Sequence, residues 1–276
     1  MGKLFYFVAA ILALWLIKSY FGFWVAAGVV CVLILARLWK KRADILVMLA
    51  SQAYFGRGDV EKGEKYYKAS YKTGLMSAEG KMSYSSFCLR ENRFDKGRRL
   101  LNEIINSSRT STKDKINAKH NLAVLVWKEG DLDEAYRILD IVHKEMPSTT
   151  TYGTMGVFLL EKAKRDRDYE TPREFLLEAY DYNSDDKTIA DNLGELYLNL
   201  AEYDKAKEVY EKLLEKDLMT PMPYYNYGLV LKNTGDREGA AEAFRKALTR
   251  RFTAVLTVTK EMVQAELDEI ENTTQE

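Results

Sequence analysis

Residues 191–214, DNLGELYLNLAEYDKAKEVYEKLL, and residues 225–248, YNYGLVLKNTGDREGAAEAFRKAL, decide the fold. Laid over one another at an offset of 34, they pair Asn192 with Asn226, Gly194 with Gly228, Ala206 with Ala240 and Tyr210 with Phe244. The same phase runs upstream. His120-Asn121-Leu122-Ala123 is followed by Gly130-Asp131-Leu132, then Ala135 and Leu139. Gly58-Asp59-Val60 leads to Gly63 and Tyr67, and 34 residues on Asn92-Arg93-Phe94 leads to Gly97 and Leu101. Small residues at two fixed positions let paired helices approach closely, and the large apolar residues between them fill the gaps to neighbouring helices.

The pattern resembles the tetratricopeptide repeat (TPR), a 34-residue helix–turn–helix unit. The resemblance covers residues 44–254 and implies an all-α, right-handed α-solenoid of about six units, near 44–77, 78–111, 116–149, 149–186, 187–220 and 221–254. Residues 257–271 read as a C-terminal capping helix, the polar-faced end that a solenoid requires. Several departures carry expectations of their own. The third unit starts late, after a longer connection over 111–115. The fourth carries extra residues at 164–172, with its second helix starting at Pro172, as a proline in a first helical turn allows. In the second unit Asn92 stands where the turn glycine is expected. Cys88 falls on a core position.

The first forty-two residues are different material. They hold six basic side chains and no acidic one, with apolar runs at 4–17 and 20–36 broken by Lys18 and Ser19. A membrane-spanning helix needs about 20 apolar residues. The favoured reading is a helical hairpin of 4–17 and 20–39 forming a membrane anchor over 1–42. A single span and a cleaved signal peptide are the alternatives. Arg37, Lys40, Lys41 and Arg42 crowd the end of the second run, and positive residues stay on the cytoplasmic side. The repeats over 43–276 are therefore expected in the cytoplasm.

Forty-one basic and 41 acidic side chains give the chain zero net charge. That balance argues against nucleic acid as a partner. It is also a cancellation: residues 43–111 carry 12 basic and 8 acidic groups, and residues 112–276 carry 23 and 33. Basic groups close to a bilayer favour anionic lipid. Chemistry-bearing motifs are scarce. The glycine spacing at 58–63 lacks the Lys-Ser/Thr of a phosphate loop, and two histidines and two cysteines make neither a metal site nor a nucleophile with its base. No catalytic residue, cofactor or metal is expected, and the chain reads as a binding protein rather than an enzyme.

The TPR resemblance implies a concave groove lined by the first helix of each unit. The positions that face it are Asn117, His120, Asn121, Trp127 and Lys128 in unit three, Asp191, Asn192, Glu195 and Asn199 in unit five, and Tyr225, Asn226, Lys232 and Asn233 in unit six. Asparagine amides donate and accept, which suits an extended peptide backbone. Ile45, Met48, Glu79, Met82 and Asn117 stand where a clamp for a C-terminal carboxylate would need basic residues, so that mode is not expected. The expected role is a membrane-tethered scaffold or assembly factor presenting the groove to a peptide or helix of a partner protein. A self-associating membrane oligomer is the alternative, and an enzyme regulatory subunit a more distant one.

Overall fold

The computed structural model describes Trp15 and residues 18–20, 22–253 and 255–273. Every regular element among these residues is helical. They divide into two compact units, one ending at Ser83 and the other beginning at Tyr84.

In the first unit, α1 (Phe23–Ser51) is a single helix of 29 residues that ends in one wider turn, Gln52–Gly56. It contains no proline and one glycine, Gly28, so nothing interrupts its backbone ladder. Its two halves have different surroundings. Trp24, Val32, Leu33, Leu35 and Trp39 are exposed, whereas Ala43, Ala50, Ala53 and Tyr54 are buried. Between them the Arg42 guanidinium donates to the Trp39 carbonyl at 2.7 Å and lies 4.3 Å over the indole. Residues 20–39 were expected to form a helix of their own, followed by a first repeat from 44. Instead the helix continues through Arg37, Lys40, Lys41 and Arg42 into the repeat, because arginine and lysine are themselves good helix formers. The stretch Phe23–Gly56 is long and apolar enough to cross a membrane, the only such stretch among the described residues. Apart from Trp15, the expected companion helix at 4–17 lies outside them.

α2 (Val60–Lys72) starts at Asp59, whose carboxylate accepts from the Lys62 amide at 2.9 Å. The hydroxyls of Ser51, Tyr67 and Ser83 form a triangle with sides of 2.8–3.1 Å, joining α1, α2 and the start of α3 (Ala78–Arg90). The buried Ser70 hydroxyl donates to the Ala43 carbonyl at 2.8 Å, fastening the repeat to the middle of α1.

The second unit takes the rest of α3 and then α4 (Phe94–Ile105), α5 (Thr112–Lys128), α6 (Leu132–Glu145), α7 (Thr149–Asp166), α8 (Glu170–Tyr182), α9 (Lys187–Asn199), α10 (Tyr203–Leu214), α11 (Met222–Asn233), α12 (Arg237–Leu248) and α13 (Lys260–Thr273). Side chains of Ser111, Asp131, Ser148, Asp186 and Asp236 each accept a backbone N–H in the turn they open. These caps satisfy donors that a helix start leaves unpaired. Between paired helices the chain turns through a left-handed residue: Asn92 (φ 55°), Gly130 (φ 104°), Ala201 (φ 57°) and Gly235 (φ 88°). Asparagine tolerates that region and glycine is at ease in it, but alanine is strained.

The repeat register then fixes packing. A Cβ on Gly194 would stand 2.6 Å from the buried Tyr210 ring, and one on Gly228 would stand 2.5 Å from the buried Phe244 ring. The first helices α9 and α11 thus lie directly on the aromatic ring of their partner helices. Leu160, Leu176, Leu193 and Leu196 join α7, α8 and α9, and Tyr210, Leu231, Phe244 and Val263 carry the core through to α13. First helices also touch one another in succession, α7 with α9 and α9 with α11, and their combined face forms a wall.

Three boundaries differ from the expectations. α5 opens at Thr112 with Ser111 as its cap, so the supposed connection at 112–115 is helical. α8 begins two residues before Pro172, which sits buried in its first turn. The capping helix starts at Lys260, not 257, and residues 251–253 and 255–259 are not helical. The β-branched residues Thr253, Val255, Thr257, Val258 and Thr259 disfavour helix there.

Two substitutions test this packing in the full-length chain. Gly228→Leu forces a side chain into the Phe244 ring and is expected to lower stability by about 1–3 kcal/mol, read from the urea midpoint. Ala201→Gly relieves the left-handed turn and should raise stability by about 0.5–1 kcal/mol.

Candidate partner-binding groove

The wall of first helices encloses a cavity of about 300 Å³ in the second unit. Val124 and Trp127 of α5, Val157 and Leu160 of α7, and Met222 and Pro223 of α11 supply its apolar lining. Thr154, Glu161, Asp191, Asn192 and Glu195 add polar groups, and Val255, Leu256 and Thr257 complete the lining. Trp127 is held by the buried Phe158 ring, with centroids 5.3 Å apart.

The polar groups are tied to one another in a sequence that follows the repeat. Asn192, buried, donates from Nδ2 to the Gly153 carbonyl at 2.8 Å, one first helix back. Asn226, also buried, donates to Asp191 Oδ1 at 3.3 Å, again one first helix back. Tyr210 donates to the backbone and side-chain oxygens of Asp191 at 3.2 and 3.3 Å. Lys164 bridges Glu195 at 2.5 Å and Glu161 at 2.9 Å. Burial, reinforced by the nearby Glu195 carboxylate, pushes the Asp191 carboxyl up to about 8 against the opposing bonds from Asn226 and Tyr210. Lys164 goes up despite its burial, because Glu195 and Glu161 flank its ammonium.

The residues expected to line one groove occupy three settings. Asp191, Asn192, Glu195 and Trp127 face the cavity. Lys128 reaches across the same face, its Nζ 4.0 Å from the Trp127 ring and 3.4 Å from the Leu256 carbonyl to which it donates, and burial lowers its pKa. Asn117, His120 and Asn121 line a separate depression beside Ser148 and Thr150. There His120 Nε2 lies 3.0 Å from Thr154 Oγ1 and Nδ1 lies 3.3 Å from Asn121 Oδ1, and burial lowers the imidazole pKa.

The sixth-unit residues do other work. Tyr225 is buried with its ring 5.9 Å from Phe244, Asn226 is the tie just described, and Lys232 is clasped by Glu266 at 2.7 Å and Glu269 at 2.8 Å of the capping helix. Asn192 and Asn226 therefore commit their amide donors to neighbouring helices, where free groove donors were expected. The sequence did not point to the apolar lining residues Val124, Val157, Leu160, Met222 and Pro223, to the polar groups Thr154, Glu161 and Lys164, or to the segment 255–257. Lys164 opened the insertion noticed at 164–172, but no periodic signal placed it between two glutamates. Arg37, Lys40 and Lys41 are exposed on α1 and Arg42 is half-buried beside Trp39.

Comparison with known proteins agrees with this architecture. Residues 192–253 match the tetratricopeptide-repeat family model. No curated protein matches the chain in sequence. Among solved structures, a thermophilic TPR protein from Thermus thermophilus superposes with a TM-score of 0.56 at 16% identity, covering 71% of this chain and 100% of that one. Pseudomonas aeruginosa pilF superposes with a TM-score of 0.56 at 14% identity, over 85% of this chain and 99% of that one. At such identities the likeness is one of fold. The TPR assignment is thus supported by the repeat match and by the fold, an all-helical TPR-like solenoid of the kind that generally mediates protein–protein interaction.

The raised Asp191 makes a prediction with a definite sign. The folded chain holds a proton on Asp191 that the unfolded chain releases near pH 4, so wild-type stability should fall as pH rises from about 4 to 8. Asp191→Asn removes that dependence. The variant is expected to exceed wild type by on the order of 2 kcal/mol at pH 8, with the difference vanishing near pH 4, in denaturation midpoints taken across that range.

Proposed function

We propose that this chain is a membrane-tethered adaptor whose concave face holds a peptide or helix of a partner protein, without catalysis of its own. The observation that carries the reading is the cavity between the first helices, with apolar lining from Val124, Trp127, Val157, Leu160, Met222 and Pro223 and with Thr154, Asp191 and Glu195 among its polar groups. A wall of packed helices presents such a site already formed, so docking loses little to ordering of the receptor. Residues Phe23–Gly56 supply the tether, since their exposed Trp24, Leu33, Leu35 and Trp39 would otherwise face water. The basic cluster Arg37, Lys40, Lys41 and Arg42 favours a cytoplasmic repeat domain. Tethering raises the effective concentration of the groove for partners in the same membrane.

Thr188 is exposed at the rim of the cavity, and Glu208 is exposed on the second helix α10. A photo-crosslinking amino acid placed at either position of the full-length chain tests the reading in native membranes. The expected result is a discrete protein adduct from position 188, none from 208, and retention of the chain in the pellet after alkaline extraction. Adducts from 208 alone would place the binding surface on the other side of the helix pairs, and release by alkali would remove the tether.

A further inference from the structure

The cavity is not closed by the repeats alone. After α12 ends at Leu248, the chain crosses the concave face before entering α13 at Lys260. Val255, Leu256 and Thr257 line the cavity together with residues of α5, α7, α9 and α11. The Leu256 carbonyl accepts from Lys128 Nζ at 3.4 Å, a bond between residues 128 apart in sequence, and the Thr257 hydroxyl lies 3.6 Å from Met222 Sδ. A stretch of this chain therefore lies where the groove would take a ligand, and it uses a backbone carbonyl to engage a groove lysine.

The seating differs between the ends and the middle of the stretch. At one end Arg250, only 10% exposed, pairs with Asp217, donates to the Tyr224 hydroxyl at 3.2 Å and stacks on that ring at 5.0 Å. At the other end Val258 is buried with Val263 in the core, and α13 is locked by Lys232 to Glu266 and Glu269 and by Arg245 to Glu271 at 2.7 Å. The middle is light. Val255, Leu256 and Thr257 are half-buried, and they leave the space of about 300 Å³ beneath them unfilled. That space is large enough for water and could take further apolar side-chain volume in its place, which removes apolar lining from water.

We infer that residues 255–257 are a built-in occupant of the groove, and that its external ligand is an extended peptide with adjacent aliphatic side chains that displaces them by filling the cavity more completely. The firm anchors at Arg250 and Val258 keep the segment at high local concentration, and its loose middle allows it to yield. The chain is thereby held in a low-affinity state until a better-fitting partner segment arrives. This inference rests on the groove reading above and adds to it the ligand chemistry and an internal competitor.

The test uses the full-length chain in detergent and a fluorescent synthetic peptide copying residues 251–259, with a control peptide in which the valine and leucine matching 255 and 256 are serine. In wild type the tethered segment competes, so fluorescence anisotropy should show weak binding. Val255→Ser with Leu256→Ser weakens the competitor, and the peptide should then bind about tenfold more tightly or better, as release from a groove occupied more than nine-tenths of the time requires. The control peptide should bind neither protein. Independently, in a Leu256→Cys chain the rate of alkylation at position 256, read by mass spectrometry, should rise when the copying peptide is added. That second readout decides the matter if the double variant unfolds. Equal tight binding to wild type and variant would overturn the internal competitor while leaving the groove reading intact. Binding to neither, with no change in alkylation, would overturn the inference itself, and the crosslink at 188 would still judge the groove.

Discussion

The structure depends on the contact between a first-helix glycine and the aromatic ring of the helix paired with it. At Gly194 under Tyr210 and at Gly228 under Phe244, no room exists for a Cβ. Bringing the two helix axes this close sets the tilt of each pair. Repeating the pair at 34 residues then lines up α7, α9 and α11 as one wall. In the fourth unit the same small-residue position, Gly156, meets a leucine in place of the ring: a Cβ there would clash with Leu176 and with the Asn192 amide. There the packing constraint and the groove meet, because the close approach is what lets Asn192 reach the Gly153 carbonyl.

The groove follows from that geometry. Asn192 and Asn226 each reach back one first helix, so the amide that recurs in sequence holds successive helices in register. Asp191 is enclosed by this network without a cation of its own, while Lys164 is spent on Glu195 and Glu161. A wall with its polar groups already engaged presents chiefly shape and apolar surface to an incoming segment. Specificity would then come from how well side chains fill the cavity, since one methylene in an apolar pocket is worth about 1–3 kcal/mol.

How much of this was legible in the sequence can be judged residue by residue. The pairing of Gly194 with Tyr210 and Gly228 with Phe244 was visible as a period, because the steric demand acts at every repeat. Asp191, Asn192, Glu195 and Trp127, groove positions that the TPR resemblance implies, line the cavity between first helices. What periodicity cannot show is a contact made once. Lys232 meets Glu266 only because α13 folds back, and Lys128 meets Leu256 only because a non-helical segment crosses the groove. Nor could a pattern of exposed and buried positions reveal that the apolar stretch and the first repeat share one helix from Phe23 to Ser51, since the basic cluster between them reads equally as a helix end. The expected role of Asn192 and Asn226 was drawn from the chemistry of a free amide, and burial against a neighbouring helix alters what that amide can do.

The central claim is that partners dock on the wall of first helices. Hydrogen–deuterium exchange on the full-length chain, alone and with its crosslink-identified partner, tests it most directly. New protection is expected along α5, α7 and α9, within residues 120–128, 154–161 and 188–195, together with faster exchange at 255–257. Protection confined to the second helices α10 and α12, with 255–257 unchanged, would contradict it.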